Sequence, residues 1–218
     1  MSSVKSWSYT AYSTYSQCPL RYKYQKIDKL PEPKSDAMER GNAIHKKCEN
    51  FLTNVVDTVP HEARKFADQM EQLKGLNPFV EQKWGFTKEW KPTSWTGKDT
   101  WYRGIVDAGV LYPDNEADIV DFKTGKMYET NEDQIELFSL TVMLRWPQVR
   151  HVTARLWYLD SGDEIVREFP ATDKVALRQK WEKKVGPMFA DTIFAPKPNK
   201  FCGWCHFRKS NGGPCRFS

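Results

Sequence analysis

The sequence has no apolar run approaching the roughly 20 residues that a bilayer-spanning helix needs. Its start, Met1-Ser2-Ser3-Val4-Lys5-Ser6-Trp7, lacks the apolar segment of a secretory signal. Internal repeats and low-complexity stretches are also missing, which speaks against an extended disordered region. Neither sign of charge dominates: 33 Lys and Arg face 28 Asp and Glu, leaving +5. That balance permits a polyanionic partner without requiring one. Cysteine is scarce and odd in number, at five residues. An odd count argues against a disulfide framework and leaves metal or cluster binding open. The expectation is a soluble, cytoplasmic protein with no membrane partner.

What is present fits one globular domain spanning 1–218, because 218 residues suffice for one sizeable core. Tyr9 to Tyr24 reads as an N-terminal helix carrying Cys18-Pro19. Ser35 or Asp36 caps a helix to about Val56, with Met38, Ile44, Cys48, Phe51, Leu52 and Val55 at helical spacing. A second helix is expected from His61 to about Leu73. The middle is strand-like: Phe79 to Phe86, an irregular Trp-rich stretch from Trp90 to Trp101, then Arg103 to Tyr112 and Ala117 to Lys123. A helix from Asn131 or Glu132 to Trp146, strands Val149 to Leu159 and Glu164 to Phe169, and a helix from Thr172 to about Phe189 complete a core at 36–190. The tail 195–218 is Cys-rich and too broken by Pro and Gly for a regular helix. The order of elements predicts an α/β domain on a mixed sheet.

Asp121 and Lys123 lie two apart on one strand and so project from one face. If Pro113-Asp114-Asn115 is the turn, Tyr112 faces Glu116 and the register places Asp107 opposite Asp121. Two carboxylates so close repel unless a cation lies between them. Mg²⁺ or Mn²⁺, which take oxygen ligands, suit that place. Lys123 would orient or deprotonate an attacking water, or stabilise developing charge. Glu81, alone on a strand with Val80, Trp84 and Phe86, is a possible further acid of the site. In the tail, Cys202, Cys205 and Cys215 form a C-x₂-C-x₉-C pattern, a strong metal signal. The fourth ligand is either His206 or the distant Cys18, and the bound group either zinc or a [4Fe–4S] cluster. Cys48 reads as a small core residue.

Asp107 followed by Asp121-Phe122-Lys123-Thr124-Gly125 resembles the signature of PD-(D/E)XK nucleases, and more narrowly of their RecB-type exonuclease branch. Gly41-Asn42-Ala43-Ile44-His45 resembles that branch's helical G-x-x-x-H motif, and Gln134 to Phe138 its Q-x-x-x-Y motif, with Phe138 in place of tyrosine. Ser8-Tyr9-Thr10 and Cys18-Pro19 resemble its N-terminal helix, so the likeness spans nearly the whole chain. The resemblance implies a restriction-endonuclease-like fold. It implies that His45, Asp107, Asp121 and the Phe122 carbonyl bind the metal, with Lys123 catalytic and Gln134 in support. It also implies that Cys18, Cys202, Cys205 and Cys215 hold an iron–sulfur cluster stapling the two ends together, as in AddB-like and CRISPR-adaptation nucleases.

The function expected on these grounds is that of a DNA exonuclease: Mg²⁺- or Mn²⁺-dependent hydrolysis from an end by water activated at the metal, leaving a 5′-phosphate. The expected context is recombination, repair or phage DNA processing. The alternative is a non-catalytic nucleic-acid-binding module with a structural zinc or iron–sulfur site. Phosphate contacts are expected from among Arg103, Lys126, Arg145, Lys197, Lys200, Arg208 and Lys209, with Arg145 foremost because it shares a helix face with Gln134, Phe138 and Thr141. Tyr9, Tyr12 and Trp101 are candidates for stacking on bases.

Overall fold

The structure, a computed structural model, describes residues 4–127 and 130–217. Met1 to Ser3 lie outside them. Strands β1 (Phe79–Phe86), β2 (Pro92–Thr93), β3 (Tyr102–Leu111), β4 (Glu116–Lys123), β5 (His151–Tyr158) and β6 (Asp163–Pro170) form one sheet in the order β2-β1-β3-β4-β5-β6. The pairings are antiparallel except β4 with β5. A parallel pair needs a crossover, and helix α5 (Thr130–Arg145) supplies it.

Helices cover both faces. One face carries α1 (Tyr9–Gln17), α5 and α6 (Lys174–Ala190), packed on Val106, Ala117, Ile119, Val152, Ala154 and Leu156. The other carries α3 (Asp36–Leu52) and α4 (Ala67–Gly75), packed on Ala108, Val110, Val120, Phe122 and Trp157. The central strand β4 is buried on both faces, which is why Ile119-Val120 interrupts simple polar–apolar alternation.

Several expected boundaries are corrected. The first helix stops at Gln17, because Cys18 is extended at φ −159° and ψ 108°. Pro19 disfavours the helical region for the residue before it. The chain restarts as the short α2 (Pro19–Tyr22) and a π-helical turn at Lys23–Ile27. α3 is capped by the Ser35 side chain, as expected, but ends at Leu52. Of the six apolar positions expected on it four are buried, while Met38 is 56% exposed and Val55, beyond its end, 67%. The segment after His61 begins as a 3₁₀ helix to Phe66 before α4. Ala171–Asp173 is a 3₁₀ turn, so Thr172 does not cap α6. The Trp-rich stretch contributes the two-residue β2, and the Cys-rich tail forms 3₁₀ turns at Lys200–Trp204 and Lys209–Asn211.

The aromatic stretch has a packing role. Trp7 exchanges backbone hydrogen bonds with β3 and its approach, accepting from Arg103 N–H and donating to the Trp101 carbonyl. Its ring lies 4.7 Å from Tyr102, 5.4 Å from Trp101 and 5.8 Å, stacked, from Trp181 of α6. It thus ties the N-terminal segment, the sheet and α6 into one core. Trp7→Ala is expected to destabilise the fold by about 3–5 kcal/mol. The check is a lowered denaturation midpoint with an unchanged m-value; a midpoint shifted by less than about 1 kcal/mol would show that the segment is dispensable.

Candidate active site

The β3–β4 register follows the turn. Leu111 pairs with Ala117 and Ala108 with Val120, which places Asp107 opposite Asp121 one step further on. There Phe122 N–H donates to Asp107 Oδ2 at 2.8 Å. Both acids are buried, at 7% and 3% exposed.

The neighbouring strand is distorted at the same level. β1 and β3 pair at Val80↔Ala108 and Gln82↔Val106, and the Glu81–Asp107 step between them is unpaired. Glu81 has φ +48°, a left-handed conformation that costs a side-chain-bearing residue roughly 1–2 kcal/mol. On one side of this step Trp84, Phe86, Tyr102 and Val106 join the core under α5 and α6. On the other side Val80, Ala108 and Val110 join the core under α3 and α4. Residues two apart in a regular strand share a face, so both strands turn over at this step.

The two acids meet His45 of α3 at the inversion. His45 Nδ1 is 3.3 Å from Asp107 Oδ2 and 4.0 Å from Glu81 Oε1. The three residues each offer a ligand atom within 4.8 Å of the others. One imidazole nitrogen and two carboxylates form a donor set suited to a divalent cation. On the adjacent strand, Lys123 Nζ lies 2.6 Å from Asp121 Oδ2 and donates to Gln134 Oε1 of α5 at 2.7 Å. The Asp121 contact is close but poorly aimed: Oδ2 is buried and receives no hydrogen bond of good geometry. The ammonium holds the carboxylate chiefly by charge, and a carboxylate oxygen has a further lone pair for a cation.

Charge balance follows from this crowding. Burial pushes the His45 pKa down, but hydrogen bonding and charge from Asp107, with Asp121 and Glu81 behind it, carry it to about 9. Burial, then repulsion from Asp107, raises Glu81 to about 7. Asp121 is also raised, by burial first, with Lys123 opposing and Asp107 adding. Excess negative potential with a histidine drawn into it is what a cation would relieve.

Flanking contacts hold the pieces in register. Gly41 allows α3 to approach the loop after β4, since a Cβ there would stand 3.2 Å from Thr124 Oγ1. The room it leaves is thus over Thr124. Gly125, at φ +100°, donates to Asp160 Oδ2 at 2.8 Å. The Arg40 guanidinium grips both oxygens of Asp160 and holds its carboxyl below the usual range. The β5–β6 turn thereby joins the segment before Gly41 to the segment after Lys123. Sequence reasoning missed Asp160; its position in a Ser-Gly turn carried no signal.

A cleft of about 700 Å³ opens over His45, Glu81 and Asp107 and is lined also by Tyr9, Trp95, Arg103, Gln134 and Phe138. Burial, with Asp133 and Asp121 adding, raises the pKa of the Tyr9 phenol. Arg103 is held by the Trp95 carbonyl at 2.7 Å and Ser6 Oγ at 2.6 Å. Among the described residues it has no acidic partner. Arg145 and Lys126 are exposed and do not line the cleft. Arg145 is eleven residues beyond Gln134, about 16 Å along α5, which is why a shared helix face did not bring it to the site. Tyr12 packs on Trp181 and Trp101 belongs to the core. Trp95 was missed among the many tryptophans of its stretch.

A mixed sheet with helices on both faces, carrying an Asp–Lys strand beside a His–Glu–Asp trio, is the restriction-endonuclease-like α/β arrangement. The sequence profile of the PD-(D/E)XK nuclease superfamily matches residues 6–210, and the chain belongs to that superfamily. It is by family a nuclease, with nucleic acid as substrate and a divalent metal as cofactor. Among solved structures, one from Eubacterium rectale named "Putative exonuclease" is similar at 12% identity and TM-score 0.54, covering 94% of this chain and 88% of that one. The structure of SSO0001 aligns at 15% identity and TM-score 0.46, covering 98% and 87%. No curated protein matches the chain. Among the described residues no helix is long and apolar enough to cross a membrane.

Metal binding at this trio should release protons. His45 must be neutral to ligate, so with its pKa at about 9 apparent affinity for Mn²⁺ should rise about tenfold per pH unit from 7 up to that value, then flatten. Titration calorimetry in buffers of different protonation enthalpy measures this. An affinity independent of pH over that range, or one retained by Asp107→Asn, would remove the trio as the site.

Proposed function

We propose that the protein is a Mg²⁺- or Mn²⁺-dependent DNA exonuclease, with 1–218 forming a single nuclease domain. The convergence of His45, Glu81 and Asp107 within 4.8 Å, one strand from the Asp121–Lys123 pair, carries this reading. His45, Asp107 and Glu81, with the Asp121 lone pair and the Phe122 carbonyl nearby, would hold the cation. When bound, the cation offsets charge on the phosphoryl oxygens and acidifies water. Gln134 accepts one hydrogen bond from Lys123 Nζ, and Asp121 keeps the ammonium in place. A lysine has three donors, so with one on Gln134 and at most one toward Asp121, Nζ still has one for the attacking water or the charge that develops. Water oxygen bonds to phosphorus, the P–O3′ bond breaks, and a 5′-phosphate and a 3′-hydroxyl remain. Arg103, fixed by two neutral acceptors at the cleft wall, is the phosphate contact the geometry favours over Arg145 and Lys126. Such an activity suits recombination, repair or phage DNA processing.

The experiment is cleavage of end-labelled linear and circular DNA with Mn²⁺, comparing wild type with Lys123→Ala. Wild type should degrade linear DNA, and the variant should be slower by at least about a hundredfold. Equal rates, or no cleavage by wild type with any divalent metal, would transfer the fold to the non-catalytic binding reading.

We further propose that Cys18, Cys202, Cys205 and Cys215 hold a [4Fe–4S] cluster. All four line one cavity together with Tyr24 and Phe207. Among the described residues no three of these sulfurs, with or without His206, come mutually within 4.8 Å. Tetrahedral zinc, with Zn–S near 2.3 Å, would hold its sulfurs about 3.8 Å apart. A cubane, which binds each thiolate at a separate corner, suits the wider spacing. Anaerobically prepared protein should contain about four irons and four sulfides per chain, and Cys18→Ser should lose them. Stoichiometric zinc without iron would decide for the zinc site.

A further inference from the structure

The cysteine tail has a feature that stapling does not use. Of the nine tryptophans, eight are buried or half-buried, while Trp204 is 83% exposed. Phe201, one turn before it, is 43% exposed. Both stand on the 3₁₀ turn Lys200–Trp204, which is anchored rather than loose. Asn199 accepts from Phe201 N–H and donates to the Gln17 carbonyl of α1, and Arg208 donates to the Gly203 carbonyl.

These two rings wall a groove of about 540 Å³, with Lys34, Met38 and His206 on its other sides. Met38 also lines the active cleft, so the two depressions share a wall. This explains the exposure of Met38 on a helix whose other large apolar residues are mostly buried. The surroundings are cationic. Residues 195–218 hold Lys197, Lys200, Arg208, Lys209 and Arg216 and no Asp or Glu. Lys34 has no acidic partner among the described residues, whereas Arg21 at the groove is neutralised by Glu32. Lys200 Nζ sits 5.4 Å from the centre of the Phe201 ring.

Exposed aromatic faces among uncompensated cations match unpaired bases on a phosphodiester chain, since every base offers a π-face and every linkage a charge. Paired bases stacked in a duplex do not present those faces. Resting on the nuclease reading of the adjacent cleft, we propose that Trp204 and Phe201 form a stacking platform for single-stranded nucleic acid, whose backbone runs over Lys34 and past Met38 to the active site. The tail is then part of the substrate path as well as a staple.

The test is binding of a fluorescein-labelled thymidine oligonucleotide and a matched duplex to cluster-loaded Lys123→Ala protein, with and without Trp204→Ala. Single-strand affinity should fall roughly ten- to a hundredfold, with duplex affinity within about twofold and Trp204→Phe restoring most of the loss. The slope of log affinity against log salt should be unchanged, because no phosphate contact is removed. Unchanged single-strand affinity overturns the proposal. So does a change in sedimentation coefficient on Trp204→Ala with oligonucleotide affinity intact, which would make the patch a contact between copies of the chain. Binding is read without cleavage, so the platform can fail while wild type still cuts DNA, and it can stand if wild type proves inactive.

Discussion

Two carboxylates are buried at the end of an apolar sheet, and most local features of the structure answer that burial. An ionised carboxylate out of water costs several kcal/mol unless it is paired or hydrogen-bonded. Asp107 takes the Phe122 amide and the His45 imidazole; Asp121 takes Lys123. Neither arrangement neutralises the group, because Glu81 adds a third carboxylate. The raised pKa of His45 records this imbalance, and that of Glu81 records burial first and repulsion from Asp107 second. The strain at Glu81 lies at the same place. A regular strand would carry its side chain to one face; the left-handed residue sits at the step where β1 and β3 pass from one helix layer to the other. The conformational cost of roughly 1–2 kcal/mol is small beside that of burying acids that no cation can reach.

The sheet was legible where short-range chemistry fixes it. Pro113-Asp114-Asn115 sets the β3–β4 register, Asn115 adopts φ +67° as the turn demands, and Asp107 and Asp121 follow. His45 was legible through its spacing from Gly41, although Gly41 serves Thr124. The break at Cys18 could have been read from Pro19 alone. Other features left no local trace. Nothing in Phe-Val-Glu-Gln-Lys-Trp announces that Glu81 inverts, since the inversion is imposed by which helix layer each half-strand meets. Helical spacing could not tell buried Ile44 from exposed Met38, because Met38 borders the cleft and the groove beside the tail instead of the core. Arg145 shares a face with Gln134, but a face also has length, and length separated them.

The N-terminal segment links three parts that are distant in sequence. Trp7 enters the core beside β3, Tyr9 lines the cleft, and Cys18 meets the tail cysteines, all within twelve residues. The helix between them is too short to persist alone. Its register is held from outside: Tyr15 Oη donates to Asp191 after α6, Lys197 to the Ser16 carbonyl and Asn199 to that of Gln17. The tail therefore positions α1, and α1 presents Tyr9 to the cleft. A group bound among the four cysteines would tighten the same contacts, so its loss should loosen the cleft wall at Tyr9 before it disturbs the sheet, which the Trp7–Trp181 stack holds independently.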